Sequence, residues 1–315
     1  MNEHVEKAII VTAADSGYFD LLMGMIKSVR RFEDCQQIPI AVFDVGFTPE
    51  HRESLEQNKI IVLDPSWHFD RNAKTSKSYE RAALVRFFIN DYLPGYDYSL
   101  WLDPDLWLQD SGVIHRMIDG ARETGAAIAH ESDELYRFQM WLWAWNLKHK
   151  VVGSGLWHGM VLMARPDYNL GLYCLAAKAP HWDSWRQRFE AALRRTDRIT
   201  PYEQFSFNEV IHVDKVTTTR LDSTDNWICD RCPPVWDDKR QLFCRPTGTH
   251  KPLSVLHLAG PAKSKAYEIE LTSGGRRTMS LRYPDLTNVS PGDDEDQDAN
   301  GNADKPDLPS QQLAS

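Results

Sequence analysis

The stretch Tyr98-Ser-Leu-Trp-Leu-Asp103-Pro-Asp105-Leu-Trp-Leu108 carries two carboxylates, one residue apart, inside an apolar and aromatic run. The residues before Asp103 are typical of a buried strand, and the proline turns the chain where that strand stops. Two carboxylates at the end of a buried strand repel each other and are costly to keep ionised without a cation. We therefore predict that Asp103 and Asp105 bind a divalent metal ion. The alternative is an acidic turn followed by a helix cap.

Apolar runs and helix-spaced segments alternate before this stretch and directly after it. Strands are predicted at 8–12, 38–44, 59–64, 98–103 and 126–131, and helices at 18–31, from 48 onward, at 78–92 and at 112–124. The alternation predicts an α/β fold built on a doubly wound sheet. Ligands of such sheets lie beyond the carboxyl ends of the strands, so Thr12 to Asp15, Asp64 and the two aspartates are expected around one pocket.

The second half of the chain is richer in aromatic side chains. Residues 136–145 include three tryptophans and are predicted to form a helix or a loop. Core packing, acceptor binding and a membrane-interface anchor beside Lys148 are the alternatives for them. Residues 153–163 are predicted to lead into a buried strand, and 200–211 to form a capped helix with polar residues facing a cavity. A last strand at 254–258 carries His257 near its end.

Charge and hydropathy limit the class of protein. No apolar run reaches the length of about 18 residues that spans a membrane, and the first residues lack the apolar core of a signal peptide. We therefore expect a cytoplasmic protein. The net charge is −9, and residues 285–315 hold eight acidic residues against one lysine. That acidic tail is predicted to be disordered, which leaves one domain at 1–284, and a basic footprint for nucleic acid is absent.

The five cysteines are an odd number, which argues against a closed disulfide framework. Cys229, Cys232 and Cys244 fall close together in the sequence with His250, and such a set would suit zinc. A structural zinc site usually joins two close-spaced pairs of ligands, and this region has one such pair. Reduced thiols are the prediction, with zinc as the alternative.

The two aspartates offer hard oxygen ligands, which suit Mg²⁺ or Mn²⁺, and a histidine in the same shell favours Mn²⁺. His257 is the candidate for this third ligand. Gly260 would let the backbone approach a phosphate, and Lys263 would supply a positive charge. A metal ion held here would neutralise the charge of a departing diphosphate. Arg86 would clamp phosphate if its helix faces the strand ends.

Taken in order, segments between about residues 8 and 265 resemble glycosyltransferases of family 8. The segments are Ile-Val-Thr12-Ala13-Ala-Asp15, the helix residue Arg86, the strand with Asp103-Pro104-Asp105, Trp157-His158-Gly159, Glu203-Gln204-Phe-Ser-Phe-Asn208 and His257-Leu-Ala-Gly260-Pro-Ala-Lys263. The chain departs from the family pattern at Trp157 and His158, where the family has Asn and Ala. It also departs at Glu203 and Ser206, where the family has Asp.

The resemblance implies a GT-A-type mixed sheet flanked by helices, and a retaining transfer of a hexose from a UDP-sugar with Mn²⁺ or Mg²⁺ as cofactor. It implies metal binding by Asp103, Asp105 and His257, and nucleotide-sugar binding by Thr12, Ala13, Asp15, Arg86, Pro104, Asp133, His158, Gly159, Gly260 and Lys263 as well as the two aspartates. Glu203 and Gln204 would lie beneath the anomeric carbon. There Glu203 would be a nucleophile or would hold a sugar hydroxyl. The acceptor would be a glycan, a lipid-linked saccharide or a small molecule.

Two other functions compete with this interpretation. A haloacid-dehalogenase-like phosphatase also places Asp-x-Asp after a strand, but after its first strand and with Thr or Val where this chain has Trp107. A non-catalytic relative that binds a sugar nucleotide or a glycan would keep the aromatic residues and could lose the metal ligands.

Overall fold

The computed structural model describes residues 7–71, 77 and 79–283. Its strands are β1 (Ala8–Ala14), β2 (Ile40–Asp44), β3 (Ile61–Leu63), β4 (Tyr98–Leu102), β5 (Leu106–Leu108), β6 (Ala126–His130), β7 (Tyr168–Ala176), β8 (Thr219–Leu221), β9 (Trp227–Ile228), β10 (Val235–Asp237), β11 (Leu242–Cys244), β12 (Val255–His257), β13 (Ala266–Glu270) and β14 (Arg276–Ser280). Its helices are α1 (Phe19–Arg30), α2 (Pro49–Gln57), α3 (Glu80–Val85), α4 (Ile89–Tyr92), α5 (Gly112–Thr124), α6 (Met140–Ser154), α7 (Leu156–Met163), α8 (His181–Thr196) and α9 (Tyr202–His212). The acidic tail predicted at 285–315 lies outside the described residues, so the domain boundary placed there stays a prediction.

Seven strands form the main sheet, in the order β3-β2-β1-β4-β7-β6-β8. The first four are parallel to one another, whereas β7 runs antiparallel to both β4 and β6. The predicted α/β fold with a mixed, doubly wound sheet is therefore confirmed. Strand β4 occupies the centre of this sheet, and all five of its residues are buried.

Apolar side chains cover both faces of the central strands. In β1, Ile9 and Val11 pack into one buried cluster while Ile10 packs into the other, as the two-residue period of a strand requires. In β4, Trp101 joins the first cluster and Leu100 the second. Burial on both faces explains why these strands are almost continuously apolar in the sequence.

A smaller sheet, in the order β5-β12-β9, begins just after the end of β4. Strand β5 pairs antiparallel with β12, which sets His257 opposite Leu106. On its other side β12 pairs parallel with β9, so that Leu256 lies opposite Trp227. A third apolar cluster that includes Trp107 and Trp227 packs on this sheet. The small sheet thus brings β9 and β12, which are distant from β4 in the sequence, to β5 at the end of the central strand.

The segment between β6 and β7 differs from the prediction. Residues 153–163 contain no strand residues: α6 ends at Ser154, and α7 follows after Gly155. The strand prediction is wrong because a short apolar run does not distinguish a buried strand from a helix. Gly159 explains how the two helices pack, since a Cβ there would lie 2.6 Å from the Cα of Val151.

The predicted helix at 78–92 is interrupted in its middle. A 3₁₀ turn at Arg86–Phe88 separates α3 from α4. None of the helices in the described part of the chain is long and apolar enough to cross a membrane.

The contact between α6 and α7 gives a first testable prediction. Replacing Gly159 by alanine should lower the free energy of unfolding by about 1–3 kcal/mol, because the new methyl group meets the backbone of Val151 and the helices must separate. Chemical denaturation followed by circular dichroism measures this change.

Gly248 provides the matched control, because its backbone is not left-handed and a Cβ at that position meets no atom within 4 Å. Gly248→Ala should leave the unfolding midpoint unchanged. Equal stability of the two variants would contradict the close helix packing.

Candidate active site

Two aspartates and one histidine meet where β4 ends. Ligand atoms of Asp103, Asp105 and His257 all lie within 4.8 Å of one another. The turn between β4 and β5 presents both aspartates, and the pairing of β5 with β12 brings His257 beside them. A backbone hydrogen bond of 2.8 Å from Leu258 N–H to the Asp105 carbonyl fastens this junction. The predicted grouping of these three residues is thus present in the structure.

Two cations accompany the carboxylates. The Arg86 guanidinium donates to Asp103 Oδ1 at 2.6 Å, and the Lys263 ammonium lies 2.9 Å from Asp105 Oδ2. The Trp101 indole N–H also donates to Asp103 Oδ1, at 2.7 Å, and the Arg86 guanidinium stacks 4.6 Å above that ring. Each aspartate therefore has one cationic partner, so the buried charges are matched in number.

Burial and charge act in opposite directions on these groups. Burial opposes ionisation of Asp105, but the neighbouring His257 and Lys263 lower the pKa of its carboxyl well below the usual range. Burial likewise disfavours a charged Lys263, while Asp105 and Tyr18 raise the pKa of its ammonium overall. For His257, burial is outweighed by Asp105, which raises the pKa of the ring. Asp105 is thus held as an anion, ready to bind a cation.

The donor set fits a divalent metal ion. Two carboxylates and one imidazole are ligands suited to Mn²⁺, and the oxygen atoms also suit Mg²⁺. The backbone leaves space at this point, because a Cβ on Gly171 would lie 2.5 Å from His257 Cε1 and 3.1 Å from Asp103 Oδ2. Only glycine at this position lets β7 pass so close to the ligands.

Hydrogen bonds determine which nitrogen of His257 faces the aspartates. Gly171 N–H donates to Asn169 Oδ1 at 2.8 Å, so the Asn226 amide must also donate to this oxygen, at 3.2 Å. The oxygen of Asn226 then faces His257 Nδ1 at 3.0 Å and can only accept, so Nδ1 carries a proton. The other nitrogen, Nε2, lies 3.4 Å from Asp105 and is the one available to a metal ion.

A polar network continues from this histidine along β7 to α9. The Gln204 amide donates to Glu131 Oε2 at 2.6 Å, and its oxygen accepts the Leu170 N–H at 3.3 Å. Glu131 is in turn paired with Arg231. Gln204 is therefore held firmly beside Asn169, which orients Asn226 and, through it, the His257 ring.

Glu203 lies on the buried side of the same helix. Its side chain is enclosed, and one carboxyl oxygen has no hydrogen-bond partner among the described residues. Burial raises the pKa of this carboxyl to about 7, against the opposing effect of Arg86. The group is thus neutral for part of the time near neutral pH.

A cavity of about 400 Å³ opens beside the aspartates. It is lined by Ala13, Ala14, Asp15, Tyr18, Val45, Tyr79, Ala82, Arg86, Trp101, Asp103, Pro104, Asp105 and Lys263. Most of the predicted nucleotide-sugar residues therefore share one pocket. Asp15 also has a structural task, since its carboxylate caps the 3₁₀ turn that follows by accepting the N–H groups of Gly17 and Tyr18.

Other predicted residues do not line this cavity. Thr12 is fully buried in β1, and Asp64 forms an ion pair with Arg52. Asp133 is held by Arg245 at 2.8 Å. Gly260 has a left-handed backbone, φ +62°, and opens the 3₁₀ turn that carries Lys263.

His158 and Gly159, predicted to bind the nucleotide sugar, lie on α7. The His158 ring contacts Glu209 at 3.0 Å and Arg188 at 3.3 Å. Gly159 packs against Val151. The structure thus gives both residues partners within the helices instead of a place on the cavity wall.

Cys229, Cys232 and Cys244 are free thiols. Among the residues that the structure describes, none of them belongs to a cluster of metal-binding side chains. Burial raises the pKa of the thiols of Cys229, Cys232 and Cys244, which favours the protonated form.

Sequence reasoning missed several residues of the site, chiefly Asn169, Gly171 and Asn226. A signal for two of them is present, because Tyr168-Asn169-Leu-Gly171 carries an Asn-x-Gly pattern at the start of β7. The family's Asn-Ala-Gly strand was matched to Trp157-His158-Gly159 instead. Asn226 carries no local signal, since only its position before β9 brings it to His257.

The chain is similar to known proteins in its sequence and in its fold. Residues 9–152 match the model of glycosyl transferase family 8. Among solved structures, a crystal structure of galactosyltransferase LgtC in complex with donor and acceptor sugar analogs matches with a TM-score of 0.50 at 18% identity, covering 80% of this chain and 87% of that one. A structure of an active-site mutant of LgtC matches with the same TM-score and coverage at 16% identity. A search of curated proteins finds no match. The structural likeness shows a GT-A-type fold, as predicted.

The hydrogen bonds to His257 give a second prediction. Asn226→Ala should weaken Mn²⁺ binding by about 10–100-fold, because the ring loses the acceptor that orients it. Isothermal titration of the protein with MnCl₂ measures the change without any substrate.

Asn226→Asp keeps an acceptor for the ring N–H but loses the donor to Asn169 Oδ1, so its affinity should fall between those of the parent protein and Asn226→Ala. Asn90→Ala, which removes an amide bonded to the Ala177 carbonyl away from the cluster, is the control. If Asn226→Ala binds Mn²⁺ as tightly as the parent protein, the orienting role is refuted.

Proposed function

We propose that this chain, a family 8 glycosyltransferase, transfers a hexose from a UDP-sugar to an acceptor hydroxyl with retention of configuration and with the aid of a divalent metal ion. The observation that carries the proposal is the convergence of Asp103, Asp105 and His257 at the end of the central strand, at the edge of a nucleotide-sized cavity. The family match supports the reaction class, and the donor, metal and stereochemistry are our inference.

The metal ion would be held by Asp103, Asp105 and His257 Nε2. Mn²⁺ suits this mixture of oxygen and nitrogen ligands best, and Mg²⁺ is the alternative. When bound, the ion supplies positive charge against the diphosphate as it leaves.

Arg86 and Lys263 would assist at the diphosphate. Both line the cavity, and each now neutralises one aspartate. Both would bind phosphate oxygens from the cavity wall, beside the carboxylates that would hold the metal ion. A guanidinium suits bidentate binding, and an ammonium acts as a point charge. Tyr18 would hold Lys263 in place, since its hydroxyl accepts from the ammonium at 2.7 Å.

The nucleoside would lie against the other wall of the cavity. Ala13, Ala14 and Val45 provide apolar contact there, and the exposed ring of Tyr79 provides a surface on which a base can stack. Asp15 is intermediate in exposure and lies at the end of β1, where it would accept from the uracil or the ribose.

The hexose would lie between the metal ligands and the network of Gln204, Asn169 and Glu131. Gln204 is partly exposed and held by two partners, which suits a residue that positions the sugar. In the reaction the bond from the anomeric carbon to the diphosphate oxygen breaks, and the oxygen keeps the electron pair. The acceptor hydroxyl attacks the same face, and its proton passes to the departing phosphate oxygen.

Glu203 is assigned a supporting role in this scheme. Its carboxyl is enclosed and is not among the cavity-lining residues, which disfavours direct attack on the anomeric carbon. The positive charge of Arg86 opposes the rise in the pKa of this carboxyl, so the two side chains interact electrostatically. This choice leaves same-face attack as the route to retention, in place of a covalent intermediate.

The metal assignment is tested with a panel of UDP-sugars, incubated with and without MnCl₂. We expect UDP release only with metal present, and Asp103→Asn or Asp105→Asn should each reduce it at least about 100-fold, since each removes a charged ligand. Asp119→Asn, which changes an exposed aspartate on α5, is the matched control.

Metal-independent UDP release, or full activity in both site variants, would refute the metal-dependent transferase. Hydrolysis of phosphomonoesters with Mg²⁺ in the absence of a UDP-sugar would instead favour the phosphatase alternative.

A separate prediction concerns Glu203. Glu203→Gln should lower turnover by less than about tenfold and leave the anomeric configuration of the product unchanged, because the residue does not bond to the sugar. Proton NMR of the product reports the configuration. A loss of about 1,000-fold or more, together with a sugar adduct on the parent protein in mass spectrometry, would show that the residue is the nucleophile.

A further inference from the structure

The helical hairpin formed by residues 138–164 carries an unusual outer surface. In the described part of the chain, eleven large hydrophobic side chains are exposed, and nine of them lie in this hairpin. The nine are Phe138, Met140, Trp141, Trp143, Trp145, Val152, Leu156, Trp157 and Met160. Trp157 is 78% exposed and Trp141 is 66% exposed, so these indoles project almost fully into solvent. Such a concentration of apolar surface marks an interaction site.

The exposed residues form continuous stripes along both helices. In α7, Leu156, Trp157 and Met160 are spaced as one helix face, and all three are exposed. In α6, Trp141 and Trp145 are one turn apart, and both are exposed. Each helix thus shows an apolar side to solvent.

The opposite side of the hairpin is firmly attached to the protein. The His149 ring lies 2.9 Å from the Tyr202 hydroxyl, and the buried Lys150 ammonium donates to Asp167 at 2.7 Å. Gly153 fits against the Tyr202 ring so closely that a Cβ would lie 2.5 Å from it. The exposed face is therefore a rigid platform, and the hairpin cannot turn its apolar side inward without breaking these contacts.

The charge on the hairpin is of one sign. Residues 138–166 contain no aspartate or glutamate, although the whole chain has 45 acidic residues and a net charge of −9. Exposed cations lie on this segment or close to it instead. They are Arg137, Lys148, Arg165, Arg195 and Arg198. Arg195 donates to the Gly153 carbonyl at 2.8 Å, which places it directly beside α6.

We propose that this hairpin docks the protein on the surface of an anionic lipid bilayer. Tryptophan side chains favour the boundary between headgroups and acyl chains, where the ring is buried and the N–H stays hydrated. Lysine and arginine beside them attract acidic headgroups, while their aliphatic stems contact apolar surface. An apolar face on a hairpin without acidic side chains, with exposed cations on it and close to it, matches such a surface in both respects.

A second copy of the chain fits this face less well. A symmetric dimer through the hairpin would place the same surface of both subunits together, so these cations would approach other cations. No acidic side chain between residues 138 and 166 is available to neutralise them. The lipid interface supplies the missing negative charge.

Sedimentation of the full chain with sucrose-loaded vesicles tests the proposal. Because no donor and no metal ion are added, the result is independent of the transferase reaction. We expect binding to vesicles of phosphatidylcholine and phosphatidylglycerol, weaker binding to phosphatidylcholine alone, and release at high salt. Trp141→Ser with Trp157→Ser should weaken binding about tenfold or more through lost burial at the interface.

Lys148→Glu with Arg165→Glu should weaken binding by about tenfold on the anionic vesicles. The charge-matched control is Lys27→Glu with Lys178→Glu, which changes two exposed lysines outside the hairpin and should bind like the parent protein. Circular dichroism checks that each variant is folded, and Trp141, Lys148, Trp157 and Arg165 are all exposed.

The proposal is overturned if the parent protein does not sediment with anionic vesicles, or if the hairpin variants bind as well as it does. Light scattering in the absence of lipid tests the alternative that a second copy of the chain binds this face. A dimer that the tryptophan double variant dissociates, together with no vesicle binding, would show that a second copy covers this face.

Discussion

The short antiparallel pairing of β5 with β12 is the interaction on which the candidate site depends. The main sheet alone would present two aspartates at the end of β4, where they would repel each other. Because β12 lies beside β5, His257 stands opposite Leu106, and the following 3₁₀ turn carries Lys263 to Asp105. One ladder therefore delivers both His257, the proposed third metal ligand, and a compensating cation.

The same pairing governs the second layer of contacts. Strand β9 pairs with the other side of β12, which brings Asn226 to Nδ1 of the His257 ring. A backbone N–H in β7 sets the orientation of Asn169, and the orientation of Asn226 follows from it. A backbone N–H of the main sheet thus sets the direction of hydrogen-bond donation along these two buried amides. That direction in turn places the proton on His257 Nδ1. Such a chain of hydrogen bonds is costly to leave partly satisfied, which holds the imidazole in one orientation.

Apolar surface serves two separate purposes in this chain. The indoles of Trp101, Trp107 and Trp227 are buried around the strands that build the site. Those of Trp141, Trp143 and Trp157 stand outside, on a hairpin without acidic side chains. Composition shows only that tryptophan is abundant, because a count of residues carries no information about which side of a helix faces solvent. The helix or loop predicted at 136–145 left this question open, and the packing of α6 against the protein body answers it.

The α/β class, the central strand and the place of the two aspartates follow from sequence because they rest on local signals, namely apolar runs, helix-spaced segments and the turn at Pro104. The helix at 156–163 was mistaken for the approach to a strand because a short and mostly apolar run satisfies either structure; in the folded protein Gly159 packs closely against Val151 of the neighbouring helix. His257 is a candidate ligand from residue chemistry alone, but its distance from Asp105, which is 152 positions away in the sequence, is set by the pairing of β5 with β12. The roles of Asn169, Gly171 and Asn226 were decided by tertiary structure alone, since close approach and hydrogen-bond direction exist only once the strands are side by side.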